Sequence, residues 1–597
     1  MAGTRKSFIL TLISFLQIFT VVFCFLISCN DDIGNGLDNG TSEVPETEEN
    51  SDVNMDPELD FSLPQSDNSF TPSDDSIYTA MNALEFSRVM GNGINLGNTL
   101  EATGDMLSYS ESDVTIYERA WGQPVTTKEM FEAMKAAGFD CVRIPVAWTN
   151  TMDWSRGDFI INESFMNRVG QIVNMALDSG LIVMINDHWD RQWWGLFSHN
   201  ENLAWKIYKS IWMQVGTYFK NYPHTLIFES ANEELGHRLN DKIDCEVDKR
   251  LNPAVAHYSE EGSFTKEQCY KKILQINQHF VDWIRSTGGK NTDRFLLIAG
   301  YDTDIESTCS ALYKMPVDSA NSETQKLFIS IHYYAPAIYA LAEEQNNSWG
   351  YSDYWGTEED VETQNALLYK MKKFTDAGYG VMIGEYGAPK KDDGTSQTNK
   401  KGGYENWITN ILDNSDTYNY VPFLWDCNTF FKKDGEQLGF FDEVLADVYN
   451  GRNYSAELNG TSDGGRITYN GGKEIFCVDF IQMKVDGYDL TCSLTDSAKT
   501  QITQGQALTL KFTRPALGEN YKCHCFELYD TSGKKVTGNN WDNACTYPPG
   551  DASDITIQWT ADKSLNLSKM IIKIFSPEGD GHTPSPLTIR DLILTLK

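Results

Sequence analysis

Short apolar runs alternate with longer amphipathic segments through the middle of this chain, from about residue 80 to residue 450. The runs, which are rich in β-prone residues, are Ile94–Gly97, Cys141–Val146, Leu181–Asn186, Leu226–Glu229, Phe295–Ala299, Leu327–His332, Val381–Glu385 and Val421–Trp425. The segments between them have helical spacing and include Thr127–Ala137, Glu163–Ser179, Leu203–Lys220, Glu267–Ser286, Val361–Ala377 and Tyr404–Leu412. This alternation predicts an α/β fold, a parallel sheet closed into a (β/α)8 TIM barrel, over residues 77–454.

The pattern changes after residue 455, where short alternating runs follow one another with no helical segment between them. These runs are Cys477–Val485, Leu508–Phe512, Cys523–Tyr529, Ile555–Trp559, Met570–Phe575 and Leu587–Leu596. Regular short strands separated by turn residues predict an all-β sandwich domain over residues 455–597. Two roles are open for it, a carbohydrate-binding module with Tyr521, Trp541 or Trp559 as platforms, and a structural companion of the barrel.

The first 76 residues have a different character. Residues 1–29 read as an export signal, with Arg5 and Lys6 before an apolar stretch that ends in Leu26-Ile-Ser-Cys29. That tetrapeptide resembles a lipobox with Cys29 as the lipidated residue, and a membrane anchor or a plain cleaved signal are the alternatives. Residues 30–76 are acidic and contain no Lys or Arg, which predicts a disordered linker. We therefore expect an exported lipoprotein of the outer membrane, on the cell surface of a Gram-negative bacterium.

Composition narrows the class of partner. The chain has 597 residues, a net charge of −35 and 41% hydrophobic residues. An acidic globular protein without a basic stripe is a poor candidate for nucleic acid or for anionic membrane surfaces, so membrane contact is expected through the lipid alone. The cysteine and histidine spacing predicts no metal site. Pairing of Cys269 with Cys309, or within the group Cys477, Cys492, Cys523, Cys525 and Cys545, is left open.

Polar or aromatic side chains occur at nearly every predicted strand end. They are Asn95, Arg143, His188, Trp189, Asn232, Glu233, His332, Tyr334, Glu385 and Trp425. The carboxyl ends of barrel strands meet at one face, and that face holds the active site. Two of these residues are glutamates, and a facing carboxylate pair is what cleavage of a glycosidic bond requires. The set favours this interpretation over two solvated glutamates, and the charge balance is compatible with a neutral polysaccharide.

These motifs resemble glycoside hydrolase family 5. The matching pieces are Asn95-Leu-Gly-Asn98-Thr-Leu-Glu101, Arg143-Ile-Pro, Asn186 with His188, Asn232-Glu233, His332-x-Tyr334, Ile383-Gly-Glu385-Tyr-Gly and Trp425-Asp426. The first of them, together with Trp121-Gly-Gln-Pro, resembles subfamily 4. One departure stands out, because the family usually has two consecutive histidines where this chain has His188-Trp189.

The resemblance implies a retaining, endo-acting glycoside hydrolase that cleaves β-1,4-glucan, mixed-linkage glucan or xyloglucan, with no cofactor. It implies that Glu233 is the general acid/base, with a raised pKa. It also implies that Glu385 is the nucleophile, kept ionised by hydrogen bonds from Arg143 and Tyr334. Asn95, Arg143, His188, Trp189, Asn232, His332, Tyr334 and Trp425 are the implied substrate-binding residues. Trp121, Trp148, Trp154, Trp193, Trp194 and Trp355 are expected in or near the cleft.

Three alternatives accompany this prediction. The same residues can act on xylan or mannan, and a non-catalytic surface glycan-binding lipoprotein would use the same cleft. A lyase or esterase is disfavoured, because the chain has no Gly-x-Ser-x-Gly turn. We expect a monomer that binds a plant-type β-glucan.

Overall fold

The structure, a computed structural model, describes residues 53–64, 75, 77–103, 113–152, 154, 157–190, 192–243, 258–342, 348–388, 401–435 and 437–450. Beyond residue 455 it describes residues 456–459, 466–469, 473–476, 480–486, 489–494, 501–502, 504–505, 507–513, 523–530, 534–536, 545–546, 554–575 and 590–596. The predicted signal peptide and Cys29 lie outside these residues. Within them, no helix combines the length and the apolar character that crossing a membrane requires.

Eight parallel strands form a closed barrel, which confirms the predicted fold. They are β1 Gly93–Asn95, β2 Cys141–Ile144, β3 Ile182–Asn186, β4 Leu226–Glu229, β5 Leu296–Ala299, β6 Leu327–Tyr333, β7 Gly380–Tyr386 and β8 Tyr420–Leu424. Each strand pairs with the next, and β8 closes the barrel by pairing with β1. All residues of these strands are buried, because helices cover the outside and side chains fill the inside.

Helices of eight or more described residues surround the barrel. They are α1 Ala83–Met90, α2 Lys128–Ala136, α3 Glu163–Asp178, α4 Glu201–Phe219, α5 Lys266–Ser286, α6 Glu358–Tyr369, α7 Tyr404–Tyr418 and α8 Glu443–Asn450. The predicted helix Val361–Ala377 is wrong in its extent, because α6 begins earlier and a separate turn, Lys372–Asp376, follows it. Thr357 caps α6 with Asp360 in a capping box. The prediction missed this start because it relied on apolar residues at helical spacing, and the first turn of α6 is acidic.

Helix α1 closes the amino-terminal end of the barrel. Its Phe86 stacks on Phe295 at 4.0 Å between ring centroids, with the rings nearly parallel, and lies edge-on to Phe328. These rings belong to a separate apolar cluster with Met90 and Phe423. Burying one such aromatic ring stabilises the fold by about 1.5–3 kcal/mol. With this end filled, the opposite end of the barrel is the one that carries the predicted site.

Part of the predicted linker is wrong as a disordered segment, because the first five residues of the segment 53–64 contact the outside of the barrel. Lys209 of α4 donates to the Pro57 carbonyl at 2.7 Å and pairs with Asp56 at 2.6 Å. Trp283 of α5 donates its indole N–H to Asp56 at 2.9 Å. We call residues 53–64 the docked segment. Its charged and apolar contacts are with side chains far away in sequence, which a local composition rule does not consider.

Asp75 is a second contact between the predicted linker and the barrel. Its Oδ2 accepts from the His224 backbone N–H and lies 2.9 Å from His224 Nδ1, and its Oδ1 accepts from Lys290. Burial opposes the charged form, but the Lys290 and His224 hydrogen bonds outweigh it and lower the pKa of Asp75. The carboxylate is therefore held ionised against the barrel.

The chain beyond residue 430 contributes β-strands in antiparallel sheets. The strands are β9 Phe431–Lys432, β10 Gly439–Phe440, β11 Ala456–Asn459, β12 Arg466–Tyr469, β13 Lys473–Phe476, β14 Phe480–Asp486, β15 Asp489–Leu494, β16 Gln501–Ile502, β17 Ala507–Thr513, β18 Cys523–Asp530, β19 Cys545–Thr546, β20 Asp554–Thr560, β21 Leu565–Phe575 and β22 Arg590–Leu596. Each of the predicted carboxy-terminal strands overlaps one of them. The arrangement as a sandwich and the domain boundary stay predictions.

The four barrel cysteines that the structure describes, Cys141, Cys269, Cys309 and Cys427, are free thiols. Cys269 and Cys309 are free thiols, so their suggested disulfide is wrong. Cys309 contacts the Met371 sulfur at 3.6 Å instead. Among the strands beyond the barrel, the register of β18 and β19 places Cys525 opposite Cys545.

Candidate active site

A register shift between β6 and β7 aligns two of the predicted site residues. The two strands keep one register up to the pair Ile331 and Ile383. The next pair is His332 with Glu385, so Gly384 has no partner in the register and forms a bulge. A Cβ on Gly384 would lie 3.1 Å from both His332 Nε2 and Ser330 Oγ. A glycine at this bulge therefore lets His332 and Glu385 lie side by side at the carboxyl end of the barrel.

The Glu385 carboxylate is held at both oxygens. Arg143 Nη1 donates to its Oε1 at 2.9 Å, and the Tyr334 hydroxyl donates to its Oε2 at 3.0 Å. The side chain is 8% exposed, so the carboxylate lies in a largely dry place. Burial raises the pKa of Glu385, although His332, Arg143 and the Tyr334 hydrogen bond oppose the shift. The two donors that the resemblance implies for this carboxylate are therefore in contact with it.

Glu233 lies just beyond β4 and shares a hydrogen bond with a histidine. His332 Nδ1 is 2.8 Å from Glu233 Oε1 and 3.6 Å from Glu385 Oε2. Burial opposes the charged form of Glu233, but the His332 hydrogen bond and the charges of His332, Arg238 and Arg143 outweigh it and lower its pKa. The expectation of a raised pKa for Glu233 is wrong. The His332 imidazole is the principal cause of the lowered pKa of Glu233. The pKa of His332 is itself raised by Glu385 and Glu233, against the effect of burial.

The spacing of the two carboxylates is that of a retaining site. One oxygen of Glu233, one of Glu385 and one nitrogen of His332 all lie within 4.8 Å of one another. Carboxyl groups about 5–5.5 Å apart leave no room for a water between a base and the sugar, so one of them attacks directly. The same three groups could also hold a metal ion by distance. Here the direct His332 hydrogen bond and the Arg143 guanidinium supply the balancing positive charge.

Arg143 of β2 is a buried connection to strands β1, β4 and β7. Its Nε donates to Glu229 at 2.7 Å, its Nη1 to Asn95 at 3.0 Å, and its Nη2 to Asn232 at 2.8 Å. The amide nitrogen of Asn95 donates in turn to the carbonyls of Gly384 and Leu424. Asn95 and Arg143 are both 0% exposed. Their prediction as sugar-binding residues is corrected, because these contacts use their polar atoms to position Glu385 and Asn232.

Glu229 is a site residue that the sequence prediction omitted. Its Oε2 accepts from Arg143, and its Oε1 accepts from the Ser330 hydroxyl at 2.8 Å. The side chain is fully buried at the end of β4. A charged residue inside an otherwise apolar strand was the available signal. An inward-pointing carboxylate needs a buried cation, and Arg143 on β2, two strands away in the barrel, provides it.

His188 and Trp425 lie together on the β3 and β8 side of the site. Their rings are stacked at 5.7 Å with an interplanar angle of 7°, and His188 Nε2 is 4.0 Å from Glu385 Oε1. His188 Nδ1 is 3.2 Å from the Asn186 amide nitrogen. Burial and the nearby positive charges of Arg143 and His332 hold the pKa of His188 well below its usual range. A neutral ring here is available for hydrogen bonding to a sugar hydroxyl.

Most of the tryptophans expected in the cleft are packing residues. Trp193 and Trp194 stack on each other at 4.3 Å and are 0% and 1% exposed, so they do not form open platforms. Trp148, Trp154 and Trp355 are buried as well. Trp189, Trp121 and Trp425 are partly exposed, which leaves these three able to face a ligand.

A closed barrel with two glutamates this close at its carboxyl end is the architecture of a retaining glycoside hydrolase. Comparison with known proteins agrees. Residues 101–430 match the family model described as Cellulase (glycosyl hydrolase family 5). The chain therefore belongs to glycosyl hydrolase family 5.

Individual relatives share the barrel region. An endoglucanase A of Paenibacillus barcinonensis is 33% identical over 368 residues, which is 58% of this chain and 83% of that protein. A xyloglucan-specific endo-β-1,4-glucanase of Bacteroides ovatus is 28% identical over 413 residues, 67% of this chain and 74% of that protein.

Solved structures give the same result. A Bacteroides ovatus family 5 xyloglucanase in complex with a heptasaccharide superposes with a TM-score of 0.51 at 27% identity, over 65% of this chain and 81% of that one. A family 5 lichenase of Caldicellulosiruptor, in complex with cellotetraose, has a TM-score of 0.51 at 28% identity, over 67% and 99%.

Proposed function

We propose that this protein hydrolyses β-1,4-glucan backbones at internal positions, with retention of configuration. The observation that carries the proposal is the pairing of Glu233 and Glu385 within 4.8 Å, each with its own hydrogen-bond partner. The family assignment and the relatives that act on cellulose-type glucan and xyloglucan support the substrate class. The partly exposed Trp425 beside His188 supplies an apolar surface suited to a pyranose ring.

Glu385 is the nucleophile of the first step. Its Oε attacks the anomeric carbon while Glu233 donates a proton to the leaving oxygen, which forms a glycosyl ester on Glu385 and releases the first product. Arg143 and Tyr334 keep the attacking carboxylate ionised and fix its direction. In the second step Glu233 removes a proton from water, and the water displaces Glu385 from the same carbon. Asn232, which is fixed by Arg143, is placed to hydrogen-bond the sugar 2-hydroxyl, a contact that strengthens in the transition state.

The proton for the leaving group is shared between Glu233 and His332. At a pH between the lowered pKa of Glu233 and the raised pKa of His332, the pair in the free site is a carboxylate and an imidazolium. A bound sugar excludes water and lowers the local dielectric, which disfavours the ion pair relative to neutral Glu233 and neutral His332. The proton thus moves along the 2.8 Å hydrogen bond to the carboxyl that uses it.

Side-by-side hydrolysis assays test this proposal. The wild type and Glu385→Gln are given xyloglucan, mixed-linkage β-glucan, carboxymethylcellulose, xylan and glucomannan, and the products are resolved by size. Glucan or xyloglucan cut to mid-length oligosaccharides by the wild type alone supports the proposal. Cleavage mainly of xylan or mannan keeps the mechanism and overturns the substrate, and turnover by Glu385→Gln overturns the nucleophile. Polymer binding without hydrolysis by either protein identifies a capture protein.

Lipid anchoring at Cys29 is part of the same proposal, because an enzyme that cuts polymers too large to import must act outside the cell. In cell fractionation, Cys29→Ala is expected to move the protein from the membrane to the soluble fraction. An unchanged membrane fraction contradicts lipid anchoring.

Truncation after residue 455 distinguishes two roles for the carboxy-terminal strands. Weaker binding to polymer with an unchanged melting temperature of the barrel supports a carbohydrate-binding module. Unchanged binding with a less stable barrel supports a structural companion.

A further inference from the structure

Trp189 occupies an unusual backbone conformation next to the catalytic pair. It directly follows His188, whose imidazole is 4.0 Å from Glu385. Its φ is 44°, in the left-handed region that a bulky side chain rarely adopts. A bulky residue persists in such a conformation only where its surroundings fix it, and such residues cluster at ligand-binding sites.

Glu234 supplies one of these constraints. Its Oε1 accepts from the Trp189 backbone N–H at 2.8 Å, and its Oε2 accepts from the Asn232 backbone N–H at 2.9 Å. The side chain is buried, and it directly follows the proposed acid/base Glu233 in the chain. One carboxyl group therefore joins the segment after β3 to the segment after β4 and fixes both relative to the catalytic carboxylates.

Arg238 supplies the second constraint, because it lies over one face of the Trp189 ring. Its guanidinium carbon lies 4.5 Å from the centre of the Trp189 ring, within the range of a cation–π contact. The side chain is 11% exposed, and its Nε and Nη2 are buried without a hydrogen-bond partner among the described residues. Its direct interactions include the stacking on Trp189 and the weak 3.4 Å contact to Asp241, and its charge also acts on Glu233 and Glu234.

Trp189 differs from the tryptophans around it. Trp193 and Trp194 on the same segment are buried against each other, whereas Trp189 remains partly exposed with one face covered by a cation. A flat apolar ring held rigidly next to a sugar-cleaving pair has the properties of a stacking platform, because a pyranose ring presents C–H groups to such a surface. A preorganised platform does not lose side-chain freedom when the ligand binds.

We propose that Trp189 is a sugar-stacking platform of the β-glucan cleft, and that Glu234 and Arg238 are positioning residues that hold it there. This inference rests on the proposed function and deepens it. In this chain an aromatic surface takes the place where the family usually offers a second histidine, so recognition at this position is by stacking rather than by hydrogen bonding. The platform accepts the apolar face of a β-linked glucosyl unit.

Binding to an inactivated enzyme tests the platform. In the Glu385→Gln background, the affinity for cellotetraose is measured by calorimetry with and without Trp189→Ala and Trp189→Phe. We expect an affinity about 10- to 100-fold lower for Trp189→Ala and within about threefold for Trp189→Phe, since the smaller ring still stacks. Trp194→Phe is the matched control, which is expected to lower the melting temperature and to leave the affinity unchanged. Unchanged affinity in a folded Trp189→Ala protein overturns the inference.

A double-mutant cycle tests the positioning role of Arg238. Arg238→Ala alone is expected to lower cellotetraose affinity about 3- to 10-fold, and to have no further effect when Trp189→Ala is already present. An undiminished effect in the Trp189→Ala background would mean that Arg238 contacts the sugar itself. Glu234→Gln is expected to behave like Arg238→Ala, because an amide keeps only one of the two acceptors. Failure of the parent Glu385→Gln protein to bind any β-glucan would instead contradict the proposed function.

Discussion

At the scale of single residues, the site is a set of charges that balance one another out of water. Arg143 lies between Glu229 and Glu385, and His332 lies between Glu385 and Glu233. A buried charge without a partner costs several kcal/mol, so each member requires the others. The carboxylates are therefore neither independent in stability nor independent in titration.

The pH dependence of kcat/KM should follow from this coupling. Activity requires ionised Glu385, whose pKa is raised, so the acid limb is expected above the ordinary glutamate pKa. Activity also requires the proton of the Glu233–His332 pair. Since the pKa of His332 is raised, the alkaline limb is expected above the ordinary histidine value of about 6.5. His332→Gln should move the alkaline limb to lower pH, because Glu233 then titrates alone.

His237→Gln is the control for this profile. His237 also has a raised pKa and lies 2.8 Å from a carboxylate, but that carboxylate belongs to Asp302 and not to a proposed catalytic glutamate. An alkaline limb that stays in place in His332→Gln, or that moves equally in His237→Gln, would refute the shared proton.

Glu229→Gln tests the positioning of Arg143. The amide removes the charge that holds the Arg143 Nε, so the guanidinium is expected to turn and kcat to fall about 10- to 100-fold with a small change in KM. Glu118→Gln is the matched control, since Glu118 is a buried carboxylate paired with Arg168 away from the site. Both variants should lose about 1–3 kcal/mol of stability. Equal kcat in the two variants would show that Glu229 has only a structural role.

At the scale of elements, the positions of strand ends determine the site. The sequence pattern predicted all eight strands, because an apolar run followed by a polar residue marks the end of a buried strand. It could not tell which of those polar residues point into the closed barrel, since that depends on the stagger between neighbouring strands. Asn95 and Arg143 were therefore assigned to the sugar, and Glu229 was left out of the site. The burial of Trp193 and Trp194 was hidden for another reason, because it depends on how the segment after β3 packs against Tyr208 of α4.

The Gly384 bulge gives a prediction at this scale. A methyl group at Gly384 would push His332, whose Nε2 it would approach to 3.1 Å, and would change the spacing to Glu385. We expect Gly384→Ala to lower kcat about tenfold or more while the protein stays folded. Gly387→Ala, whose Cβ would make only ordinary contacts of 3.5 Å or more, is the control. Wild-type kcat in Gly384→Ala would mean that the bulge is not needed for the alignment.

At the scale of the whole molecule, the barrel is larger than the sequence pattern indicated. The docked segment and Asp75 add contacts to α4, to α5 and to the end of the barrel that α1 closes. The acidic, polar composition of residues 30–76 predicts a linker without a core of its own. It gives no information on single residues such as Asp56 that pair with lysines elsewhere in the chain.

Two deletions test the docked segment. Removing residues 30–52 should leave the melting temperature unchanged, whereas removing residues 30–64 should lower it by about 2–5 °C, because the contacts of Asp56 with Lys209 and Trp283 are lost. Thermal unfolding by calorimetry measures both. Asp56→Asn in the full chain should give part of the loss, and identical melting temperatures for the two deletions would contradict docking.

The docked segment would also determine how far a lipid-anchored enzyme lies from the membrane and how it is oriented. If Cys29 carries lipid, the chain between it and Val53 is about 24 residues long and spans at most about 80 Å. This maximum length is about half of that of a linker that reaches residue 77. The Asn54 backbone N–H donates to the side chain of Asn202 at the start of α4. Helices of such a barrel start at the catalytic end. Asn54 therefore lies at the catalytic end of the barrel. The cleft of a lipid-anchored enzyme would then stay close to the membrane surface. Oligosaccharides would be released near the cell and would diffuse from there.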